Sequence, residues 1–418
     1  MALILTRSPF HISRRDLKPN ATLQVLVGVY EYGTVSQAVY TILSDYQLAF
    51  RNNRHIDISQ IIHDTRDEIF TYSQSEGSYQ KQDFSENSLV VQLTLEGVQE
   101  DETDDEIKTT YQETLHSLRG YVYTTDPQNY DATNDLEMNS YYAGSSDIVY
   151  KLDDSNLELP LVNPTSLVNP FIDLGSTVHC IVTAFYKGEI IDSQYLFFNG
   201  IDVYNQYSTN NFGSFTERVE SQEGVIEQNK CLTDFFDCHR LVDVDKIHIT
   251  SYDNSLNSTF QSRTKVIEVR TIEEKKHNPY RLSFRNRFGV WEHLWFFKKS
   301  IETLKVESSS FRQNQFYQRN AGNGTSGVGN LVRSEKVYNK NGRTELTLNS
   351  GFVDEALNES FKQLMLSEEV VLYNFRKGTS QAVTVKDSEL KLKTSTNDKL
   401  INYTIEVEFS NNIIDNIV

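Results

Sequence analysis

The chain reads as a succession of short β-branched and aromatic runs broken by turn residues. Thr22 to Tyr30 is rich in Leu, Val and Tyr, Leu89 to Leu95 partly alternates, and Thr177 to Tyr186 runs into Lys187-Gly188 and resumes at Ile190. These runs predict strands, the last pair joined as a hairpin. Further strands are predicted at Lys246 to Tyr252, Lys265 to Arg270, Arg281 to Phe284, Glu345 to Leu348 and Tyr403 to Phe409. In Val353 to Met365 the apolar residues Val353, Leu357, Phe361, Leu364 and Met365 recur at helical spacing, with acidic residues in the first turn. This predicts an amphipathic helix over 353–366 laid on a sheet. A less regular pattern predicts a second helix over Ile107 to Leu118.

The joints are marked by changes of composition. The acidic run Gly97 to Glu106 and the polar stretch Asp126 to Ser146 read as a long surface insertion between Leu95 and Ile148. Glu273 to His277, charged and followed by Asn278-Pro279, reads as a boundary, and Gln313 to Gly329 as an Asn, Gln and Gly loop. The expected division is an N-terminal β-sandwich over 1–205 with its insertion at 97–146, then 206–275 as a second β-rich domain or a continuation of the first. A C-terminal β domain with the helix follows over 276–418. No repeat of 20 to 50 residues suggests a solenoid or propeller.

Length fits this picture, since 418 residues correspond to roughly three domains at ~150 residues each. The hydrophobic share of 38% is low, but 23 Tyr and 23 Phe supply large buried areas. Against 40 Lys and Arg stand 58 Asp and Glu, a net charge of −18, which repels phosphate over the surface at large. No dense basic patch is visible along the chain, so neither nucleic acid nor an anionic membrane is an expected partner. Cys180, Cys231 and Cys238 are odd in number and lack C-x-x-C spacing, pointing to neither a disulfide framework nor a zinc site and to synthesis in a reducing cytoplasm. Met1 to Arg7 lacks the marks of a signal peptide, and no apolar run approaches the ~18 residues of a membrane span.

Candidate chemistry is sparse. Gly322 to Gly327 spells G-x-G-x-x-G, but polar residues precede it and no helix period follows, so it reads as a loop rather than a dinucleotide site. Asp234, Asp237, Cys238, His239, Asp243, Asp245 and His248 are ligand types without metal-site spacing and read as turn residues. G-x-S-x-G is absent, and the nine His are scattered. No catalytic, cofactor or metal residue is assigned, and no enzyme is expected. Trp291, Trp295, Phe296 and Phe297, with Phe361 and Met365 on the helix, are candidates for packing or for an interface, core packing being preferred. Tyr130 to Tyr142 and Tyr204 to Tyr207 are the candidates for exposed recognition.

Four blocks carry a resemblance: Thr6 to Phe10, Pro279 to Lys299, Leu346 to Phe352 with its helix, and Lys393 to Tyr403. They resemble tail-associated structural proteins of tailed bacteriophages of Bacteroidetes hosts, including crAss-like phages. The resemblance covers the last 140 residues well and the first 275 in outline. It implies a virion component of the tail hub, tip or ring, with immunoglobulin-like or sandwich domains toward the N-terminus. Its partners would be other tail proteins and copies of itself. Two other readings compete: an adhesin gripping host surface glycans through the Tyr-rich loops, and a tail-associated glycan hydrolase. In the assembly reading residues 276–418 dock, the loop 313–330 orders on a neighbour, and a chain ending at 275 is expected to be soluble.

Overall fold

In the computed structural model the chain is mainly β. The structure describes residues 3–13, 22–32, 38–49, 55–65, 88–100, 106–127, 130–140, 142–153, 157, 159–162, 179–197, 203–204, 215–221, 224–230, 244–252, 262–312, 318–319, 326–327, 335–392 and 400–413.

The first part contains β1 (Leu3–Leu5), β2 (His11–Ser13), β3 (Thr22–Tyr32), β4 (Ala38–Ala49), β5 (His55–Asp57), α1 (Ser59–Thr65), β6 (Ser88–Glu100) and β7 (Glu106–Leu118). Five of these strands form a sheet in the order β1-β7-β6-β3-β4, with β1 parallel to β7. Alternation in β3 sends Leu23, Val25 and Val27 inward, where they share a core with Ile58, just before α1, and Ile62 within it. Residues 107–118 are a strand and not the expected helix. Ile107, Tyr111 and Leu115 lie four apart, a spacing that serves one helix face and one strand face equally, and thirteen residues of pairing with β6 decide for the strand. The two strands pair along their whole length, up to Glu100 opposite Glu106.

The middle part contains α2 (Ala132–Met138), β8 (Ile148–Leu152), β9 (Leu161–Val162), β10 (His179–Tyr186), β11 (Glu189–Phe197), β12 (Val203–Tyr204), β13 (Phe215–Ser221), β14 (Gly224–Lys230), β15 (Lys246–Tyr252) and β16 (Ser262–Ile272). Its sheet runs β11-β10-β15-β16-β8, with β8 parallel to β16. The predicted hairpin closes at Lys187-Gly188, whose φ angles of 51° and 86° are those of a two-residue primed turn. Asp245 secures it, one carboxylate oxygen accepting from the Lys187 amide at 2.7 Å.

The last part contains β17 (Tyr280–Arg285), β18 (Trp291–Phe296), β19 (Ile301–Arg312), β20 (Gln318–Arg319), β21 (Ser326–Gly327), β22 (Glu335–Asp354), a 3-10 turn (Glu355–Leu357), α3 (Asn358–Leu366), β23 (Val370–Asn374), β24 (Thr379–Val385) and β25 (Leu400–Phe409). Seven strands make one antiparallel sheet, β18-β17-β23-β24-β25-β22-β19. Helical geometry begins at Glu355, not at the expected 353: Asp354 still has extended backbone, and its side chain caps the turn by accepting from the Ala356 amide. Val353 ends the strand yet reaches the same core as Leu357, Phe361 and Leu364, so the apolar register is kept through the change of structure. Phe361 sits between Phe296, ring centroids 6.2 Å apart, and Tyr403, at 4.2 Å.

The charged stretch 273–277 is an ordered turn joining β16 to β17. The Glu274 carboxylate accepts from the His277 and Lys276 amides and from the Lys298 ammonium, which holds its pKa at about 2. Packing nevertheless crosses this point. Residues 126–146 are not the expected surface insertion: Ala132, Leu136 and Ala143 join Leu5 and Leu118 in one buried cluster with Phe288 and Val290. Few apolar residues mark this stretch because its small core contacts are made to a distant part of the chain.

Candidate assembly surface

The aromatic block lies inside the molecule. Trp291, Phe296, Phe297 and Phe361 are fully buried, Trp295 is buried, and Met365 is partly so. Strand alternation explains the density of rings. Leu294 and Phe296 face the core under α3, whereas Trp295 and Phe297 join Leu152, with Tyr150, Ile272 and Phe375 packed beside them. A strand buried on both faces reads as a continuous apolar run. These residues belong to packing and leave no exposed contact surface on β18.

The turn between β17 and β18 clasps the earlier part of the chain. Asn286 accepts from the Phe288 and Val290 amides and donates to the Ala143 carbonyl at 2.7 Å. Gly289 has φ of 79°, and a Cβ there would lie 2.6 Å from the Arg119 carbonyl carbon; one on Gly120 would lie 2.3 Å from the Arg287 carbonyl oxygen. Only glycines allow this mutual approach, sealed by the Tyr121 amide donating to that oxygen. Ions surround it: Arg7 pairs with Glu368 at 3.0 Å, Arg119 with Glu368 and Glu369, and Arg285 with Glu369 at 3.0 Å. Arg7 also donates to the Leu366 carbonyl at the end of α3.

Glu292 is buried beside the clasp. One carboxylate oxygen meets the Ser145 hydroxyl, and the other accepts from the Ser145 amide and the Asn286 side-chain amide, each at 3.1 Å. The Ser145 hydroxyl is 2.6 Å from that of Ser360 on α3. Burial pushes the Glu292 carboxyl above its ordinary value. The adjoining cavity, lined by Tyr142, Glu292, Ser360 and Phe361, is water-sized. Glu292 thus joins three segments of chain.

Two tyrosines of the stretch 130–142, Tyr130 and Tyr142, are not exposed, contrary to expectation, while Tyr141 lies outside the described residues. Tyr142 is buried and donates to the Ser146 carbonyl at 2.8 Å. The Arg287 guanidinium lies 4.8 Å from the Tyr130 ring centre and 5.1 Å from that of Tyr123, and it pairs with Asp126 at 2.9 Å. Burial drives the Tyr130 and Tyr123 hydroxyls well above their ordinary pKa. Backbone alone is described for Tyr204, in β12, and Tyr207 lies outside the described residues.

What the fold presents outward is an arm. β19 pairs with β22 from Ile301 opposite Thr347 to Arg312 opposite Glu335, but β25 joins β22 only from Glu345 onward. The chain after β25 still reaches Gly342, opposite Val306, through the Ile413 amide, and beyond it six residues of β19, from Glu307 to Arg312, continue as a two-stranded ribbon, roughly 20 Å at ~3.4 Å per residue. Every residue of β19 is exposed, as are 335–340. Leu304 (59%), Val306 (50%) and Tyr338 (69%) stand in solvent, and so does Ile413 (55%), whose amide donates to the Gly342 carbonyl. Tyr338 occupies a bulge and meets Phe311, ring centroids 6.1 Å apart. At the base, Glu345 pairs with Lys305 and Lys386, whose ammonium groups hold its carboxyl at about 2. The arm is therefore anchored in the sheet and bare beyond it.

The remaining candidates resolve simply. Ser326-Gly327 of the glycine pattern form β21, paired with Gln318-Arg319, and the next described element is a strand. The other residues of that loop lie outside the described residues, as do Asp234, Asp237, Cys238, His239 and Asp243. His248 lies on Phe185 at 4.3 Å. Among the described residues no group of three His, Cys, Asp or Glu side chains is placed to hold a metal, and no helix is long and apolar enough to cross a membrane. No family model matches the sequence, and no curated protein or solved structure matches it either.

The sequence pattern missed the arm and Glu292. The arm lacked a signal because a ribbon exposed on both faces has no reason to alternate. Glu292 had one: it is an acid within the apolar block Val290 to Phe297.

Proposed function

We propose that the chain is a non-enzymatic structural component of a phage tail, in the hub, tip or a ring, that works through protein–protein assembly. The observation that supports this best is the solvent-exposed arm of β19 and β22, with aliphatic and aromatic residues on a ribbon that its own chain leaves uncovered. A two-stranded ribbon is marginally stable in water, and apolar side chains on it favour a protein contact. The resemblance supplies the context. Two of its blocks and the helix of a third, distant in sequence, meet at the clasp, where Arg7 binds Glu368 and Leu366 and Asn286 shapes the β17–β18 turn. In this reading the first 275 residues carry immunoglobulin-like sandwich domains, and the protein acts in the virion after synthesis in the host cytoplasm.

The glycan-adhesin reading draws less support from 130–142, where Tyr142 is buried and Tyr130 is held under Arg287. Among the described residues, the buried acid Glu292 has its hydrogen bonds within the chain, which favours a structural role for it over a hydrolytic one. Gold-labelled antibody against the full chain, applied to purified phage particles, tests the assignment. Label on the tail is expected; particles that carry none while infected cells contain the protein would overturn it.

A further inference from the structure

We propose that β19 pairs edge to edge with β19 of a second copy, antiparallel about a two-fold axis at Val306, giving a dimer; this rests on the assembly reading above and names its self-contact. The open edge is the starting point. β19 ends the seven-stranded sheet, and among the described residues no strand pairs with its outer side. All twelve of its residues are exposed. Natural edges are commonly blunted by a Pro or a bulge, but β19 has no Pro, and the extra residue of its ladder, Tyr338, belongs to β22. Such an edge is a template for another strand.

The residues of the strand choose the register. A two-fold axis normal to the sheet keeps every side chain on its own face, so the pairing must centre on one residue that meets its own copy. Centred on Val306, the eleven residues from Ile301 to Phe311 all find partners within β19. Lys305 then faces Glu307 of the second copy, twice over, and Ile301 faces Phe311, while Glu302 lies diagonal to Arg312. Centring on Lys305 would set two ammonium groups face to face, and centring on Glu307 two carboxylates, which destabilises a strand pair. Centring on Leu304 or on Ser308 pairs only seven or nine residues of β19. Val306 combines the full length with opposite charges.

The shape of the arm agrees. Val306 stands opposite Gly342, the last residue of β22 that the chain after β25 reaches, so the sheet edge 301–305 lies before the axis and the ribbon after it. In the dimer the ribbon of each copy runs along the sheet edge of the other, and a two-stranded ribbon marginal by itself joins a wider sheet. The side chains of Leu304 and Ile413 lie over Gly342, where an added Cβ would meet them at 3.1 and 3.4 Å. The axis sets them and Val306, all exposed, against their copies as the dry centre of the contact, with the Lys305–Glu307 pairs on the opposite face. Lys305 also pairs with Glu345, and Lys386 holds that carboxylate too, so Glu345 keeps a cation when Lys305 turns to the second copy. Because both partners offer the same strand, the contact is isologous and closes as a pair.

The test is sedimentation of the full chain over a concentration series, with thermal midpoints checking that each variant folds. The wild type is expected to dimerise. Glu307→Lys sets lysine against Lys305, and Lys305→Glu sets glutamate against Glu307; each should weaken dimerisation by about tenfold or more. An equimolar mixture of the two should regain it, since every facing pair is then opposite in charge. A cysteine reads the register. Val306→Cys meets itself at the axis and should form a disulfide-linked dimer on mild oxidation. Ser308→Cys, four residues along the ladder from its copy, should crosslink no more than the wild type, whose three cysteines set the background. A wild type that stays monomeric yet binds other tail proteins would overturn this contact and leave the assembly reading standing; one that does neither would sink both. A Glu307→Lys protein that dimerises like the wild type would overturn it too, as would Ser308→Cys crosslinking as readily as Val306→Cys.

Discussion

Ending the chain at residue 275 should yield an aggregating N-terminal fragment rather than a soluble one. The cut removes Phe288 and Val290, which close the cluster of Leu5, Leu118, Ala132, Leu136 and Ala143. It also uncovers Leu152 and Ile272, which pack with Trp295 and Phe297. At ~25 cal/mol per Å² of apolar surface, exposing several such side chains costs on the order of 5–10 kcal/mol, comparable to the whole stability of a domain. Arg7 and Arg119 lose Glu368 and Glu369 in the same step, and unpaired, partly buried guanidinium groups add to the penalty. The soluble fraction after expression, compared with that of the full chain, reads the effect directly. A fragment as soluble as the full chain and melting cooperatively would contradict the clasp described above.

The second large effect is expected at Glu292. Replacing it with Ala strips partners from the Ser145 amide and hydroxyl and from the Asn286 side chain in a buried setting, costing about 2–4 kcal/mol. Glu292→Gln should behave differently, since a glutamine reproduces the protonated acid. Its carbonyl accepts from the Ser145 and Asn286 N–H groups, and its amide donates to the Ser145 hydroxyl. The sign of the pH dependence follows from the raised carboxyl. A group whose pKa is higher in the folded state contributes stability fully present below its unfolded value, near 4.5, and lost as pH rises through the folded value. The difference in thermal midpoint between Glu292→Gln and the wild type should therefore move in favour of the glutamine as pH rises above about 4.5. A Glu292→Ala protein melting with the wild type, or a glutamine variant tracking it at every pH, would remove Glu292 from the account.

How far the sequence could be read depends on how local each signal was. The hairpin at Lys187-Gly188 was legible because two adjacent residues carry the turn, and the apolar face of α3 because its repeat is regular. β7 was misread since Ile107, Tyr111 and Leu115 suit both periods, and only pairing with β6 separates them. The burial of 126–146 was invisible because its contacts lie about 150 residues away, at Asn286 to Val290, where a small side chain such as Ala143 suffices. The block Pro279 to Lys299 was distinctive as a string, but which of its rings face inward depends on the covering of both faces of β18. The arm was seen only as a loop at its far end, because charges 20 or more residues apart become one patch only when the ladder brings them opposite.

The central claim is that this chain works by assembling with others, and the mass of the purified full-length protein in solution tests it most directly. Light scattering would be recorded for the protein alone and after mixing with candidate tail proteins encoded beside it. The account predicts a closed oligomer or a co-complex of defined stoichiometry. A monomer at every concentration that joins none of these proteins would contradict it.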